Sequence, residues 1–201
     1  MAIRDVLWAC PICRVPGGIG PGEACRSCGT TFRRGRGARI VARTAAGSEE
    51  RPAAEWLQRV ADVPLPGPRD DGSILGPEAV RVKTASRHKP LYFGRRLLGW
   101  VEVFERPVTG MLVLRTDALH FRTGDGSTKE VWELAGLRGI QPASSALQLA
   151  LPDRRVASVK FLESSVRLWA RVLTEALRAD CRRRGLELLE LQPTIRTCVI
   201  T

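Results

Sequence analysis

Gly110-Met111-Leu112-Val113-Leu114-Arg115-Thr116-Asp117-Ala118-Leu119-His120-Phe121-Arg122 sets two short apolar runs around a two-residue polar break. Each run is too short for a stable helix, and Thr116-Asp117 supplies the turn chemistry that joins antiparallel strands. The stretch therefore predicts two paired strands, Gly110 to Arg115 and Ala118 to Arg122. Outward from this pair the same pattern repeats. Gly99 to Phe104 precedes it as a first strand, and Gly124-Asp125-Gly126 follows it as a hairpin turn. Glu130 to Leu134, Gly139 to Gln141, Ala146 to Leu151 and Val156 to Phe161 continue the series, with Pro152-Asp153 as a further turn. The expectation is a small, mostly β unit of about seven strands.

A helix is expected next. Ser164 or Ser165 can cap it, and Val166, Trp169, Ala170, Leu173, Ala176 and Leu177 recur at three- and four-residue steps as a buried stripe. Gly185 ends it after Arg182-Arg183-Arg184, cations that suit the negative end of the helix dipole. Seven strands and one closing helix resemble the pleckstrin-homology-like superfold over residues 97–185. The glycine, strand, turn, strand, phenylalanine order from Gly110 to Phe121 is most similar to its GRAM-type branch, with Trp132-Glu133-Leu134 and Val159-Lys160-Phe161 as further matching strands. The resemblance implies an α+β barrel closed by a C-terminal helix. It also implies that a lipid-binding member would carry cations around the loop joining its first two strands. That loop, Arg106-Pro107-Val108-Thr109, holds one cation, and Arg95 and Arg96 lie just before the first strand.

Nearer the N-terminus stand Cys10-Pro11-Ile12-Cys13 and, after eleven intervening residues, Cys25-Arg26-Ser27-Cys28-Gly29. A two-residue gap lets one tight turn aim two sulfurs at one point, and two such turns complete a tetrahedron. Gly29 can adopt the positive φ such a turn needs. Val15 to Gly22 is too rich in glycine and proline for regular structure and is expected to form a mobile hairpin tip. Residues 7–41 resemble the zinc-ribbon family. One structural Zn2+ held by Cys10, Cys13, Cys25 and Cys28 is the expected cofactor, with iron or a disulfide pair as the alternatives. Four protein ligands leave no open coordination position, so a catalytic metal is not expected. Cys181 and Cys198 stand outside the set. Arg33, Arg34, Arg36 and Arg39 follow the second knuckle and are candidate anion-binding residues together with Arg95, Arg96 and Arg106; a solvated connector explains the first four equally well.

Between these regions, Ser48-Glu49-Glu50-Arg51-Pro52 before Trp56, Leu57 and Val60 predicts a short amphipathic helix over about 50–61. Trp56 is expected to pack on the following domain. Four prolines and three glycines between residues 63 and 77 predict a linker without regular structure. The expected organisation is a ribbon with its basic strip over 1–45, helix and linker over 46–78, the pleckstrin-homology-like domain over 79–185, and a tail over 186–201 that could add a strand.

The chain has 201 residues, a formal charge of +11 and a hydrophobic content of 44%. That content suffices for a core, and the charge points to polyanionic partners, either nucleic acid or an anionic membrane surface. There is no apolar leader after the first residues and no run near the roughly 18 residues of a membrane span, which predicts a cytoplasmic protein, peripheral to a membrane at most. The two histidines, His88 and His120, have no nucleophile or carboxylate at an interpretable spacing, and the sequence carries no phosphate-loop, nucleophile-elbow or dinucleotide glycine pattern. No enzyme and no small-molecule substrate are expected. The expected function is a non-enzymatic adaptor that docks on an anionic membrane surface or a protein partner. The alternatives are a nucleic-acid-binding ribbon protein and a pure protein-interaction scaffold.

Overall fold

The computed structural model describes residues 2–143 and 145–186 of the chain. It opens on a short 3-10 turn, Ile3–Asp5, and passes through both cysteine knuckles. Three antiparallel strands follow: β1 (Thr31–Arg34), β2 (Arg39–Thr44) and β3 (Gly47–Pro52), in the order β1-β2-β3. The helix α1 (Ala53–Arg59) comes next. It is shorter than the sequence suggests, because Gly47–Pro52 pairs with β2 instead of starting the helix. The Glu49 carboxylate there accepts from Arg59 at 3.0 Å and also bonds Arg51. Trp56 is fully buried and its Nε1 donates to Ile40 O at 2.9 Å. It therefore packs back on its own small sheet, with Ile3, Leu7, Ile19, Phe32, Ile40 and Ala42, and not on the following unit.

The larger unit begins earlier than the proline content implies. β4 (Ser73–Phe93) runs for 21 residues and includes Gly76 and Pro77. Its pairing shifts register between Ser73 and Leu75 and again between Leu75 and Glu78, and these irregularities accommodate a proline that has no N–H to donate. Gly76 has a φ of 92°, and a Cβ there would lie 2.4 Å from Leu112 O, so the close approach of β4 to its neighbour requires glycine. A boundary at residue 79 would cut this strand. After β4 come β5 (Arg96–Phe104), β6 (Val108–Arg115), β7 (Ala118–Thr123), β8 (Lys129–Glu133), β9 (Gly139–Pro142), β10 (Leu147–Ala150) and β11 (Val156–Phe161). All seven strands expected from residue 97 onward are present, and β4 makes eight.

Their order is β8-β7-β6-β4-β11-β10-β9, with β5 paired to β4 off this path, and every pairing is antiparallel. The expected closed barrel is not formed. β8 and β9 are the two ends of the path and do not pair, so the sheet is open. The link between them is a 3-10 turn, Leu134–Gly136, that buries Leu134 in the core instead of continuing either strand.

The C-terminal helix α2 (Val166–Arg183) packs on β9, β10, β4 and that turn. Ser165 caps it, its side chain accepting from Leu168 N at 3.4 Å. Gly185, at a φ of 67°, ends it through the paired bonds Gly185 N to Arg182 O and Leu186 N to Cys181 O, the Schellman arrangement. Its apolar stripe is buried as expected, and Trp169 stacks on Phe161 with ring centroids 4.9 Å apart. The Glu78 carboxylate accepts from Ser164 N at 2.9 Å and fixes the approach to the helix.

The two parts share packing. Trp8 and Ala9, from the first knuckle, and Val60 and Val63, after α1, belong to the same buried cluster as Leu112, Leu147 and Trp169. The Arg171 guanidinium lies 4.6 Å from the Trp8 ring centroid, Arg167 donates to Asp5 O at 3.0 Å, and Arg26 pairs with Glu163 at 2.9 Å. No helix among the described residues is long and apolar enough to cross a membrane. The extra strand expected over 186–201 falls almost wholly outside the described residues, as does Cys198.

Candidate metal centre and projecting hairpin

Each C-x-x-C segment folds into the same turn. Arg14 N donates to Cys10 O at 2.8 Å and Gly29 N donates to Cys25 O at 2.9 Å, and the residue after each second cysteine is left-handed, with φ of 62° at Arg14 and 72° at Gly29. Gly29 meets its expected role. The glycine-rich connection is not a free tip: Gly17 N bonds Trp8 O, Gly20 N bonds Ala24 O, and Ile19 is buried. A Cβ on Gly18 would lie 3.1 Å from Cys25 Sγ, so this segment is the floor beneath the sulfurs.

The four Sγ atoms of Cys10, Cys13, Cys25 and Cys28 lie within 4.8 Å of one another. Cys10 and Cys28 are 3.8 Å apart, and Cys13 and Cys25 are 3.6 Å apart. A disulfide needs about 2.05 Å. Sulfurs at the corners of a tetrahedron with metal–sulfur bonds near 2.3 Å are separated by about 3.8 Å. The donor set and its spacing therefore fit one metal ion. Burial pushes the Cys10 thiol far up and the Cys13 thiol up as well. Burial also acts to raise Cys28, but hydrogen bonds from the Thr30 side chain and backbone outweigh it and hold that thiol down to about 6. Such a pocket favours a cation that lets all four sulfurs ionise together.

The candidate anion-binding residues are not brought to one place. Arg33 and Arg34 lie on β1, on alternate sides of the strand, and Arg36 is in the turn to β2; all three are exposed. Arg39 is engaged by Glu50 at 3.0 Å. The strip is thus the outer hairpin of a small sheet and not a flexible connector. Arg106 lies between β5 and β6, whereas Arg95 and Arg96 sit at the far end of β5, about 30 Å away at 3.3 Å per residue.

That far end is the feature the sequence did not disclose. β4 pairs with β6 only as far as Val82 and with β11 only as far as Ala85, then continues to Phe93 with β5 as its sole partner among the described residues. The result is a two-stranded hairpin that leaves the body of the sheet. Phe93 is 78% exposed, Trp100 64%, and Tyr92 and Leu98 57% each, with Leu91 and Leu97 also exposed. His88 lies on it, opposite Glu102, in strand and not in a basic loop; His120 is half-buried on β7. The available signal was the turn Gly94-Arg95 between the apolar runs Leu91-Tyr92-Phe93 and Leu97-Leu98, with Gly94 at a φ of 57°. Pro90 and the surrounding cations masked it.

No protein-family model matches this chain, and no curated protein matches it either.

Proposed function

We propose that this protein is a non-enzymatic docking module, an adaptor whose partner-facing element is the β4–β5 hairpin and whose N-terminal part is a ribbon held by one structural zinc ion. The observation that carries the reading is the exposure of Tyr92, Phe93, Leu98 and Trp100 on a projection, residues 86–104, that contributes no residue to either buried cluster. An isolated two-stranded hairpin is marginal in water, and apolar groups collected on one projection mark an interaction site. The antiparallel order ending in one C-terminal helix favours a module of pleckstrin-homology type, with the hairpin as an extension between its first strand, β4, and its second, β6. Zinc is favoured by the all-cysteine donor set and its spacing.

The test is fractionation of the tagged full chain in an extract of its native cell, beside the double variant Tyr92→Ser/Phe93→Ser. The wild-type chain is expected in a heavier or sedimenting fraction and the variant at the size of the free protein, both with one equivalent of zinc by elemental analysis. Identical migration of the two chains would remove the hairpin from the docking role. Zinc well below one equivalent would remove the ribbon assignment.

A further inference from the structure

We propose that the occupant of the hairpin is the headgroup layer of an anionic lipid bilayer. The inference rests on the docking role above and names its partner. The first argument is the distribution of apolar groups over both sides of the hairpin. Residues directly opposite in an antiparallel pair share a face, so Tyr92 with Leu97 and Pro90 with Trp100 form one side, while Leu91, opposite Gly99, and Phe93, opposite Arg96, form the other. A protein groove covers one side of such a ribbon and leaves the second in water. A bilayer interface surrounds the apex and covers both.

Charge points to the same partner. Between residues 86 and 104 the cations are Arg87, Lys89, Arg95 and Arg96, and Glu102 is the single carboxylate. Arg95 and Arg96 stand at the apex, where they meet lipid phosphates as the rings enter. A second copy of this chain would set the same cations against each other. The chain's formal charge of +11 draws the whole molecule to an anionic surface before contact.

The depth is limited by the backbone. Beyond Ala85 the outer edge of β4, and the outer edge of β5 throughout, have no strand partner among the described residues. Unpaired N–H and C=O groups cannot enter the hydrocarbon, so the hairpin rests at the interface, where water and phosphate still bond them. Tyr and Trp are the residues that favour that layer.

Trp100 provides its own probe. Trp8, Trp56, Trp132 and Trp169 are buried, so Trp100 is the exposed tryptophan of the five. The full chain is mixed with phosphatidylcholine vesicles, with or without about 30% phosphatidylglycerol, carrying brominated acyl chains. With the anionic vesicles, co-sedimentation, a blue-shifted emission and bromine quenching are expected. Trp100→Phe should abolish the quenching while leaving co-sedimentation. Arg95→Gln/Arg96→Gln should weaken vesicle binding about 25-fold, since each cation at an anionic surface contributes about fivefold. Tyr92→Ser/Phe93→Ser should abolish insertion without changing zinc content or melting temperature. Three results would overturn the proposal: no binding to anionic vesicles, binding with Trp100 unquenched, and lipid-free self-association that buries Trp100. If vesicle binding fails but the double serine variant still changes migration in extract, the hairpin docks on a protein. If both fail, the docking role falls too.

Discussion

Trp8→Ala tests whether the ribbon and the larger sheet fold as one. Trp8 is 3% exposed, belongs to the large buried cluster, and is followed by Cys10 two residues later, which belongs to the small one. Truncating a buried tryptophan costs about 3–5 kcal/mol. The Arg171 guanidinium 4.6 Å from the ring centroid adds about 0.5–1 kcal/mol. In a chain of this size each kcal/mol lowers the melting temperature by about 2–4 °C, so the expected drop is about 7–24 °C. Because the lost side chain roots the first knuckle in the large cluster, the variant should also show two separated transitions where the wild-type protein shows one. Thermal unfolding followed by near-ultraviolet circular dichroism, with bound metal assayed in parallel, reads both effects. Trp100→Ala is the control, and its exposed ring predicts little change. A drop under about 2 °C for Trp8→Ala, with a single transition retained, would refute shared packing between the parts.

Trp169→Ala should cost about 3–5 kcal/mol in chemical denaturation, since the ring is buried against Phe161 on the face where α2 meets the sheet. Gly110→Ala should prevent folding or sharply lower the denaturation midpoint, because a Cβ there would lie 2.2 Å from Arg122 O and 2.7 Å from the Phe121 ring; a stable, soluble variant would contradict the close approach of β6 and β7. Metal affinity should fall with pH. Cys10 and Cys13 are raised and bind protons near neutrality in the metal-free pocket, so these two thiols alone release about two protons on binding and affinity drops at least about 100-fold per unit fall in pH. Below about 6 the Cys28 thiol also takes up a proton and the slope steepens. Competition with a chromogenic chelator across pH measures it, and a change under about tenfold per unit would contradict the protonated state of those thiols.

The parts legible in the sequence are those where spacing alone dictates geometry. Cys10, Cys13, Cys25 and Cys28 converge because each two-residue gap can close only as a tight turn, and the three- and four-residue steps of Val166, Trp169, Leu173 and Leu177 give a helix with one buried face. The strands from Gly110 onward were readable because turn residues separate them. β3 was not, since Ala45-Ala46 carries no turn signature and Glu49-Glu50-Arg51-Pro52 mimics the first turn of a helix. The start of β4 was hidden by Gly76 and Pro77, which the strand absorbs as irregularities in its pairing. Openness of the sheet was not legible at all, because closure depends on whether β8 and β9 meet, and no residue in either encodes that.

The hairpin was missed for a different reason. Leu91, Tyr92, Phe93, Leu97, Leu98 and Trp100 have the composition of a core, and composition does not say whether a strand has a neighbour on its other side. Topology decides it. β4 is flanked by β6 and β11 up to Val82 and Ala85; beyond them only β5 follows β4 outward, and no third strand among the described residues lies beside either. Residues that would be interior in a wider sheet therefore end in solvent. The cations beside them are what a buried strand would not tolerate: Arg87, Lys89, Arg95 and Arg96 could not all be covered without counter-charges, and Glu102 is the single carboxylate between residues 86 and 104. Apolar groups that need cover, interleaved with cations that need water or phosphate, suit a boundary between the two media, which is why the bilayer interface is the partner to test first.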